Sequence, residues 1–355
     1  MKLAIIGPAF SGKTTVFNAL TGATEELSDF SGGGNQHLRD VPVPDARLER
    51  LREDYQAKKI VPARVEFLDL PGYGGSDKFF GEARTNEALV RVVRAFKSDS
   101  VPHPKERVDW KADLLDLDTD FVLQDLIMVE RRIERLEKSS KKPTKTQKEE
   151  LAELEIFRRV RPSLEEGTPL RKVAGPAERE TLRQYGFLTL KPSLSLVNIG
   201  DDDDPDALGI PPVPERLEAD AEDVVLPIRA RLEAEVAQLD EADRGEFLAD
   251  FGLAEPIRDV LIRLSYQLLG LQSYLTAGPK EVRAWTVRQG SSAVEAAKVI
   301  HSDIARGFIR AEVVSWADYL ATGGWKQAKE AKKFRLEGKD YVMQDGDVVE
   351  FRHGG

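Results

Sequence analysis

The chain has 355 residues, 41% of them hydrophobic, and carries 52 Lys and Arg against 62 Asp and Glu, a net charge of −10. This length predicts two or three domains, and the hydrophobic share excludes a wholly disordered chain. The chain has no cysteine, which excludes disulfide partners and cysteine nucleophiles and fits a cytoplasmic protein. No apolar run approaches the ~18 residues of a spanning helix, so no membrane partner is expected.

The first predicted elements alternate between strands and helices. Residues 3–6 form an apolar run typical of a buried parallel strand, and a glycine-rich turn and a helical pattern over 13–20 follow. Further strands are predicted around residues 65–69 and 193–198. Strands separated by helical stretches predict a doubly wound α/β sheet.

A segment of different composition lies between the last two of these strands. From residue 117 to about 160 the chain is dense in charged residues and helix formers. Four apolar residues recur there at helical spacing, namely Leu126, Val129, Ile133 and Leu136. A lysine-rich turn at 138–146 precedes a second helical pattern. We interpret the segment as an antiparallel helical hairpin inserted into the α/β domain.

Short β-type runs surround one helical pattern in the last part of the chain. The runs lie near residues 283–287, 311–314 and 348–351, and the helix is predicted over 292–301. These elements predict a small α+β module. The complete domain prediction is an α/β domain at 1–116 and 186–276, a hairpin at 117–185 and an α+β module at 277–355.

Residues 7–14, Gly-Pro-Ala-Phe-Ser-Gly-Lys-Thr, match the phosphate-binding pattern G-x-x-x-x-G-K-[ST] without a mismatch. Backbone N–H groups of such a loop and the helix N-terminus behind it attract phosphate. Lys13 is expected to reach the β- and γ-phosphates as a catalytic group, and Thr14 to hold Mg²⁺. The nucleotide-binding residues predicted in this segment are Phe10, Ser11, Gly12, Lys13, Thr14 and Thr15.

Two further motifs complete the predicted site. Asp69-Leu70-Pro71-Gly72 ends the second strand, so Asp69 is expected to contact Mg²⁺ and the N–H of Gly72 to contact the γ-phosphate during catalysis. Asn198-Ile199-Gly200-Asp201 is the predicted base-reading segment, with Asn198, Ile199 and Asp201 as its binding residues. The acidic run 201–204 is also compatible with an ordinary solvated loop.

The chain lacks the glutamine that orients the attacking water in regulatory GTPases. Regulatory GTPases place a glutamine directly after D-x-x-G, whereas this chain has Tyr73, which is poorly suited to that role. Hydrolysis would then need another residue, a partner or a cation. His103, between two prolines, is the candidate, with a surface loop histidine as the alternative.

Seven segments resemble the YchF-type (Obg-like ATPase) subfamily of translation-factor-class P-loop NTPases. They are residues 131–138, 247–252, 268–274, 276–286, 301–303, 307–312 and 337–348. The resemblance implies a P-loop NTPase core, a coiled-coil insert and a C-terminal ubiquitin-like TGS module. It also implies hydrolysis of ATP in preference to GTP, association with ribosomes or RNA, and a role for His103 in hydrolysis.

The chain departs from that family at its nucleotide motifs. Phe10 replaces an asparagine, residues 31–36 lack the switch threonine, Pro71 replaces an alanine, and Asp201 replaces a glutamate. These motifs and departures are compatible with three functions. The first is a slow, ribosome- or RNA-associated Mg²⁺-dependent NTPase that hydrolyses ATP. The second is a GTP-preferring or barely hydrolytic nucleotide-dependent binding protein.

The third is an RNA-binding module that uses a basic patch. Its residues are Lys326, Lys329, Lys332, Lys333 and Arg335. Their spacings of three and four residues favour a solvated helix face over an RNA-binding groove.

Overall fold

The computed structural model describes residues 2–25, 36–71, 73, 76–141, 143–214, 216–217, 221, 223–250 and 255–354, without the side chains of 241–242 and 248–250. The chain divides into two compact units. One comprises Met1–Arg39 and Glu66–Arg258, and the other Asp40–Val65 and Asp259–Gly355.

The strands of the described part are β1 (Lys2–Ile6), β2 (His37–Pro42), β3 (Ile60–Val61), β4 (Arg64–Asp69), β5 (Ala88–Arg94), β6 (Ser193–Asn198), β7 (Asp223–Ile228), β8 (Leu271–Ala277), β9 (Val282–Arg288), β10 (Phe308–Val314), β11 (Arg335–Glu337) and β12 (Val348–His353). The helices are α1 (Lys13–Thr21), α2 (Ala46–Tyr55), α3 (Asp77–Arg84), α4 (Trp110–Ser139), α5 (Gln147–Glu165), α6 (Leu170–Val173), α7 (Pro176–Arg183), α8 (Ala230–Val236), α9 (Glu241–Asp250), α10 (Ile257–Leu268), α11 (Ala293–Ile300), α12 (Ser302–Arg306), α13 (Trp316–Thr322) and α14 (Trp325–Glu330).

The first sheet has the strand order β2-β4-β1-β5-β6-β7. Strands β4, β1, β5, β6 and β7 pair in parallel. The central strands are buried on both faces, as expected for a parallel sheet that helices cover on both sides. All the parallel strands present their carboxyl ends at one edge, where ligands of open α/β sheets bind. The predicted doubly wound sheet is confirmed.

Helices α4 and α5 form the predicted hairpin. Helix α4 begins at Trp110 because the carboxylate of Asp109 caps the N–H of Ala112 at 3.1 Å. The two helices share a buried apolar seam, and Arg132 on α4 makes a bidentate pair with Glu153 on α5 at 2.8 and 2.9 Å. The hairpin helix therefore starts before the predicted boundary at residue 117.

A buried ionic cluster joins the sheet to α4 and α6. The guanidinium of Arg91 on β5 contacts Asp118 at 2.8 Å and also pairs with Asp223, whereas Arg171 on α6 contacts Asp223 at 3.0 Å and Asp118 at 3.3 Å. Both arginines are almost fully buried, so each depends on these carboxylates for its charge partners.

The second unit is built on a mixed sheet of order β11-β10-β12-β8-β9-β3. Strand β12 pairs with β8 in parallel, and β8 pairs with β9 antiparallel. Helix α11 packs on this sheet and begins with a capping box between Ser292 and Glu295. The predicted α+β module is therefore present.

The second unit also takes in chain that lies outside the predicted range 277–355. Its C-terminal part begins at Asp259 rather than at residue 277. It also includes Asp40–Val65, since β3 pairs with β9 through Ile60 and Val282. The hydroxyl of Tyr319 donates to Asp54 of α2 at 3.0 Å. A pairing between strands so far apart in sequence leaves no local pattern in the chain.

Candidate active site

The phosphate-binding loop follows β1 and requires glycine at two positions. Gly7 has φ +153°, and a Cβ there would lie 2.1 Å from the carbonyl oxygen of Val92 on β5. Gly12 has φ +93°, and its Cβ would lie 2.3 Å from Nδ2 of Asn198. Phe10, although not glycine, also has a left-handed φ of +59°. Left-handed residues of this kind turn successive N–H groups toward one point, as in anion-binding nests.

Lys13 is the first residue of α1 and lies across the loop. Its Nζ donates to the carbonyl oxygen of Pro8 at 2.9 Å. Burial lowers the pKa of Lys13 to about 8, although the nearby carboxylate of Asp69 opposes that shift. A buried ammonium with one carbonyl partner is incompletely solvated, so an added anion would stabilise its charge.

Thr14 and Asp69 meet beside the loop. The hydroxyl of Thr14 donates to Oδ2 of Asp69 at 2.9 Å, and Asp69 is only 3% exposed. Burial raises the pKa of Asp69, whereas Thr14 and Lys13 lower it by smaller amounts. Oδ1 of Asp69 is buried, and no described residue forms a hydrogen bond with it. The pair thus supplies a hydroxyl and a carboxylate, the oxygen ligands that Mg²⁺ prefers.

Asn198, at the end of β6, supports the same loop from the side. Its Nδ2 donates to the carbonyl oxygen of Ser11 at 3.1 Å, and its Oδ1 accepts from the N–H of Ala230 at 3.2 Å. The amide therefore links the loop to the start of α8. The hydroxyl of Ser11 is buried and has no hydrogen-bond partner in the described part of the chain. The structure brings together Ser11, Gly12, Lys13, Thr14, Asp69 and Asn198, while Thr15 lies on the same first turn of α1.

The acidic loop after β6 is more ordered than a solvated charge run. The carboxylate of Asp203 accepts the N–H of Gly200 at 2.7 Å. The guanidinium of Arg229 donates to the carbonyl oxygens of Asp201 at 3.0 Å and Asp203 at 2.8 Å. The side chain of Asp201 is exposed, so its carboxylate is accessible to a ligand. No sequence motif predicted the role of Arg229.

Ile199 differs from Asp201 in its surroundings. It is 3% exposed and packs with Leu114, Leu117 and Val197 on the α4 side of the sheet. This packing leaves almost no side-chain surface for a base to cover. If Ile199 contacts a nucleotide in this conformation, it does so through its backbone.

Tyr73 points toward the hairpin. Its hydroxyl donates to the carboxylate of Asp120 on α4, and its ring packs edge-on against Phe79 at 5.5 Å. Burial and Asp120 together raise the pKa of Tyr73. The predicted γ-phosphate contact of Gly72 and the missing switch threonine at 31–35 both lie outside the described residues.

His103 is held by two hydrogen bonds. Its Nδ1 accepts the N–H of Lys105 at 3.2 Å, which places the ring proton on Nε2. That Nε2 donates to Asp113 of α4 at 3.1 Å, and both side chains are buried. In this arrangement neither ring nitrogen is available to orient water.

A polar cluster that the sequence did not reveal anchors the chain on either side of residues 26–35. The side-chain amide of Asn18 donates to the carbonyl oxygen of Glu25 at 2.9 Å and accepts its N–H at 3.1 Å. The carboxylate of Glu25 pairs with Nδ1 of His37 at 3.1 Å and with Arg39 at 2.6 Å. Glu25 and His37 are therefore held together near α1.

The basic patch of the second unit is not one helix face. Helix α14 ends at Glu330 and carries only Lys326 and Lys329 of the patch. Lys333 pairs with Asp318 at 3.3 Å, and Arg335 lies on β11. The prediction of a continuous helix through these residues is therefore wrong.

The chain can now be compared with known proteins. The family model YchF-GTPase_C, described as a protein of unknown function, matches residues 271–354. "Ribosome-binding ATPase YchF" of Haemophilus influenzae is 40% identical over 361 residues, covering 99% of this chain and 98% of that protein. The protein of the same name from Bacillus subtilis is also 40% identical, covering 98% of each chain. The chain belongs to the YchF family.

A solved structure supports the same membership at the level of the fold. The Schizosaccharomyces pombe YchF GTPase superimposes with a TM-score of 0.83 at 26% identity, covering 99% of this chain and 97% of that chain. The YchF fold therefore extends over both units. Within the part of the chain that the structure describes, we find no helix long and apolar enough to cross a membrane.

Proposed function

We propose that this YchF-family chain is a Mg²⁺-dependent P-loop nucleoside triphosphatase that hydrolyses ATP slowly and binds ribosomes in the cytoplasm. The observation that carries the proposal is the convergence of Lys13, Thr14 and Asp69 at the mouth of one phosphate-binding loop. We further propose that the NTPase function resides in the first unit and ribosome contact in the hairpin and the second unit.

Each of these residues has a distinct part in the proposed reaction. Backbone N–H groups of residues 7–14 and the N-terminus of α1 hold the phosphates. Lys13, whose ammonium is poorly solvated, neutralises charge on the β- and γ-phosphates as the bond to the leaving group breaks. Gly72, directly after the Asp69 strand, is the proposed donor to the γ-phosphate.

Mg²⁺ fits the residues present. Thr14 and Asp69 supply adjacent oxygens, and within the described chain Oδ1 of Asp69 has no hydrogen-bond partner. Mg²⁺ commonly takes one or two protein oxygens and completes its shell with phosphates and water. The ion would polarise the phosphate oxygens, and the protein residues position it.

The preference for ATP or GTP involves the names of the relatives and the residue Asp201. The bacterial relatives named above are called ATPases, and the S. pombe relative is called a GTPase. Asp201 presents an exposed carboxylate, which accepts hydrogen bonds from a base N–H or amine. We propose that ATP is preferred, and that Asp201→Glu changes the ratio of ATP to GTP affinity.

The proposal is tested by phosphate release from ATP and GTP with Mg²⁺, with and without ribosomes. Lys13→Ala is the matched control, since it removes the ammonium and leaves the loop backbone in place. We expect release from ATP above the control and co-sedimentation with ribosomes. If the chain binds both nucleotides but releases phosphate from them no faster than the Lys13→Ala variant does, it is a nucleotide-dependent binding protein.

A further inference from the structure

Arg94 is a buried cation for which the described part of the chain offers no carboxylate partner. It ends β5 and is 2% exposed. Its Nε donates to the carbonyl oxygen of Phe96 at 3.0 Å, and its guanidinium carbon lies 4.3 Å from the centre of the Phe96 ring. Its Nη1 finds no hydrogen-bond partner among the residues that the structure describes. Among the described residues no carboxylate forms an ion pair with it, and burial lowers its pKa.

The same strand shows how a buried arginine is normally accommodated. Arg91 is also buried, and its guanidinium reaches Asp118, Asp223 and Ser195. Replacing such a pair by apolar residues is often neutral, but a buried charge with no partner is strongly destabilising. None of the described residues supplies such a partner to Arg94, and an anion bound nearby would provide one.

The sheet puts Arg94 beside the phosphate-binding loop. In the β5–β6 register Arg94 is opposite Asn198, and Asn198 contacts the carbonyl oxygen of Ser11 in the loop. Two residues before Arg94, the carbonyl oxygen of Val92 lies directly against Gly7. Side chains two residues apart on a strand project from the same face of the sheet, so the side chain of Arg94 lies on the same face as that of Val92. The side chain of Asn198 lies on this face as well, because Asn198 is directly opposite Arg94 on the neighbouring strand.

We propose that Arg94 strengthens nucleotide binding without touching the ligand, with the polyphosphate of the bound nucleotide as its counter-charge. The proposal rests on the nucleotide function proposed above. The attraction between a buried positive charge and a bound anion is poorly screened, so its contribution to affinity rises with the negative charge of the ligand. Arg94 therefore discriminates by phosphate number, whereas Asp201 is assigned to the base.

The test uses Arg94→Met and Arg94→Gln in the full chain, with affinities for ATP, ADP and AMP measured by calorimetry. Both changes remove the charge, and glutamine also keeps a donor for the carbonyl oxygen of Phe96. We expect ATP affinity to fall about 10- to 100-fold, ADP affinity less, and AMP affinity least. Arg94→Lys retains the charge and should stay within a few-fold of wild type for all three. Phe96→Leu, which removes the ring beneath the guanidinium, should leave the ratio of ATP to AMP affinity unchanged.

Thermal unfolding of the nucleotide-free variants separates this role from a structural one. An unpaired buried charge is destabilising, so Arg94→Met should raise the midpoint or leave it unchanged. Equal losses for ATP and AMP, or unchanged ATP affinity, would overturn the proposal. So would a failure of both uncharged variants to fold when Arg94→Lys folds, because the charge would then serve stability. If wild type binds neither ATP nor GTP, the proposed function itself fails, which is a different result.

Discussion

Nucleotide binding should draw a proton onto Lys13. The pKa of Lys13 is about 8 in the nucleotide-free chain because its ammonium is buried, and phosphate charge beside it favours the protonated form. At pH 8 roughly half of Lys13 is neutral, so binding takes up about 0.5 proton, and at pH 7 about 0.1. Affinity should fall about tenfold for each pH unit above 8, where protonation competes with binding.

Calorimetry with a non-hydrolysable ATP analogue measures this uptake directly. Titrations in buffers of different ionisation enthalpy at pH 7, 8 and 9 give the number of protons. The values at pH 8 and 9 decide the test, because a phosphate with a last pKa of about 6 has lost that proton by pH 8. Lys13→Arg is the matched control because guanidinium stays charged throughout this range. Tight binding with no proton uptake at pH 8, or equal uptake by Lys13→Arg, would refute the reasoning.

The same shift affects the stability of the nucleotide-free chain. The unfolded chain holds the Lys13 proton up to about pH 10.5, whereas the folded chain releases it near pH 8. The unfolded state therefore binds more protons between these values, and the free energy of unfolding rises with pH across that window. The full change for this one group is about 3 kcal/mol.

Three further results are expected. Asp69→Asn should abolish the effect of Mg²⁺ on nucleotide affinity. It should also raise the melting temperature of the nucleotide-free chain at pH 7, a gain that disappears below about pH 4, since burial raises the pKa of Asp69 in the folded state. Tyr73→Phe should cost about 1.5–3 kcal/mol in denaturant unfolding through loss of the charge-assisted bond to Asp120, with ATP turnover unchanged; a large fall in turnover would give the hydroxyl a catalytic role. Arg91→Met should cost about 1.5–3 kcal/mol, because the partly exposed Asp118 and Asp223 lose charge-assisted hydrogen bonds, and a neutral result would show that Arg171 alone satisfies them.

The sequence predicts the parts of the site that are local. The pattern over residues 7–14 is contiguous, and β6 has the predicted bounds because its residues are apolar or small throughout. Strand β5 escaped prediction, since Arg91 and Arg94 interrupt its apolar run. The partners that make Arg91 acceptable, Asp118 and Asp223, lie far away in the chain. Ion pairs between residues so far apart in the chain leave no periodic pattern in the sequence, so they could not be predicted from it.

The two side chains considered for orienting water share one feature that only the structure reveals. Tyr73 donates to Asp120 and His103 donates to Asp113, and both carboxylates belong to α4 of the hairpin. Either side chain could approach a γ-phosphate only after its bond to α4 breaks. Because each bond is a charge-assisted hydrogen bond in a partly or fully buried place, breaking it costs about 1.5–3 kcal/mol. We therefore expect slow intrinsic turnover, and we expect a partner that moves α4 to change the rate of hydrolysis more than the affinity for nucleotide.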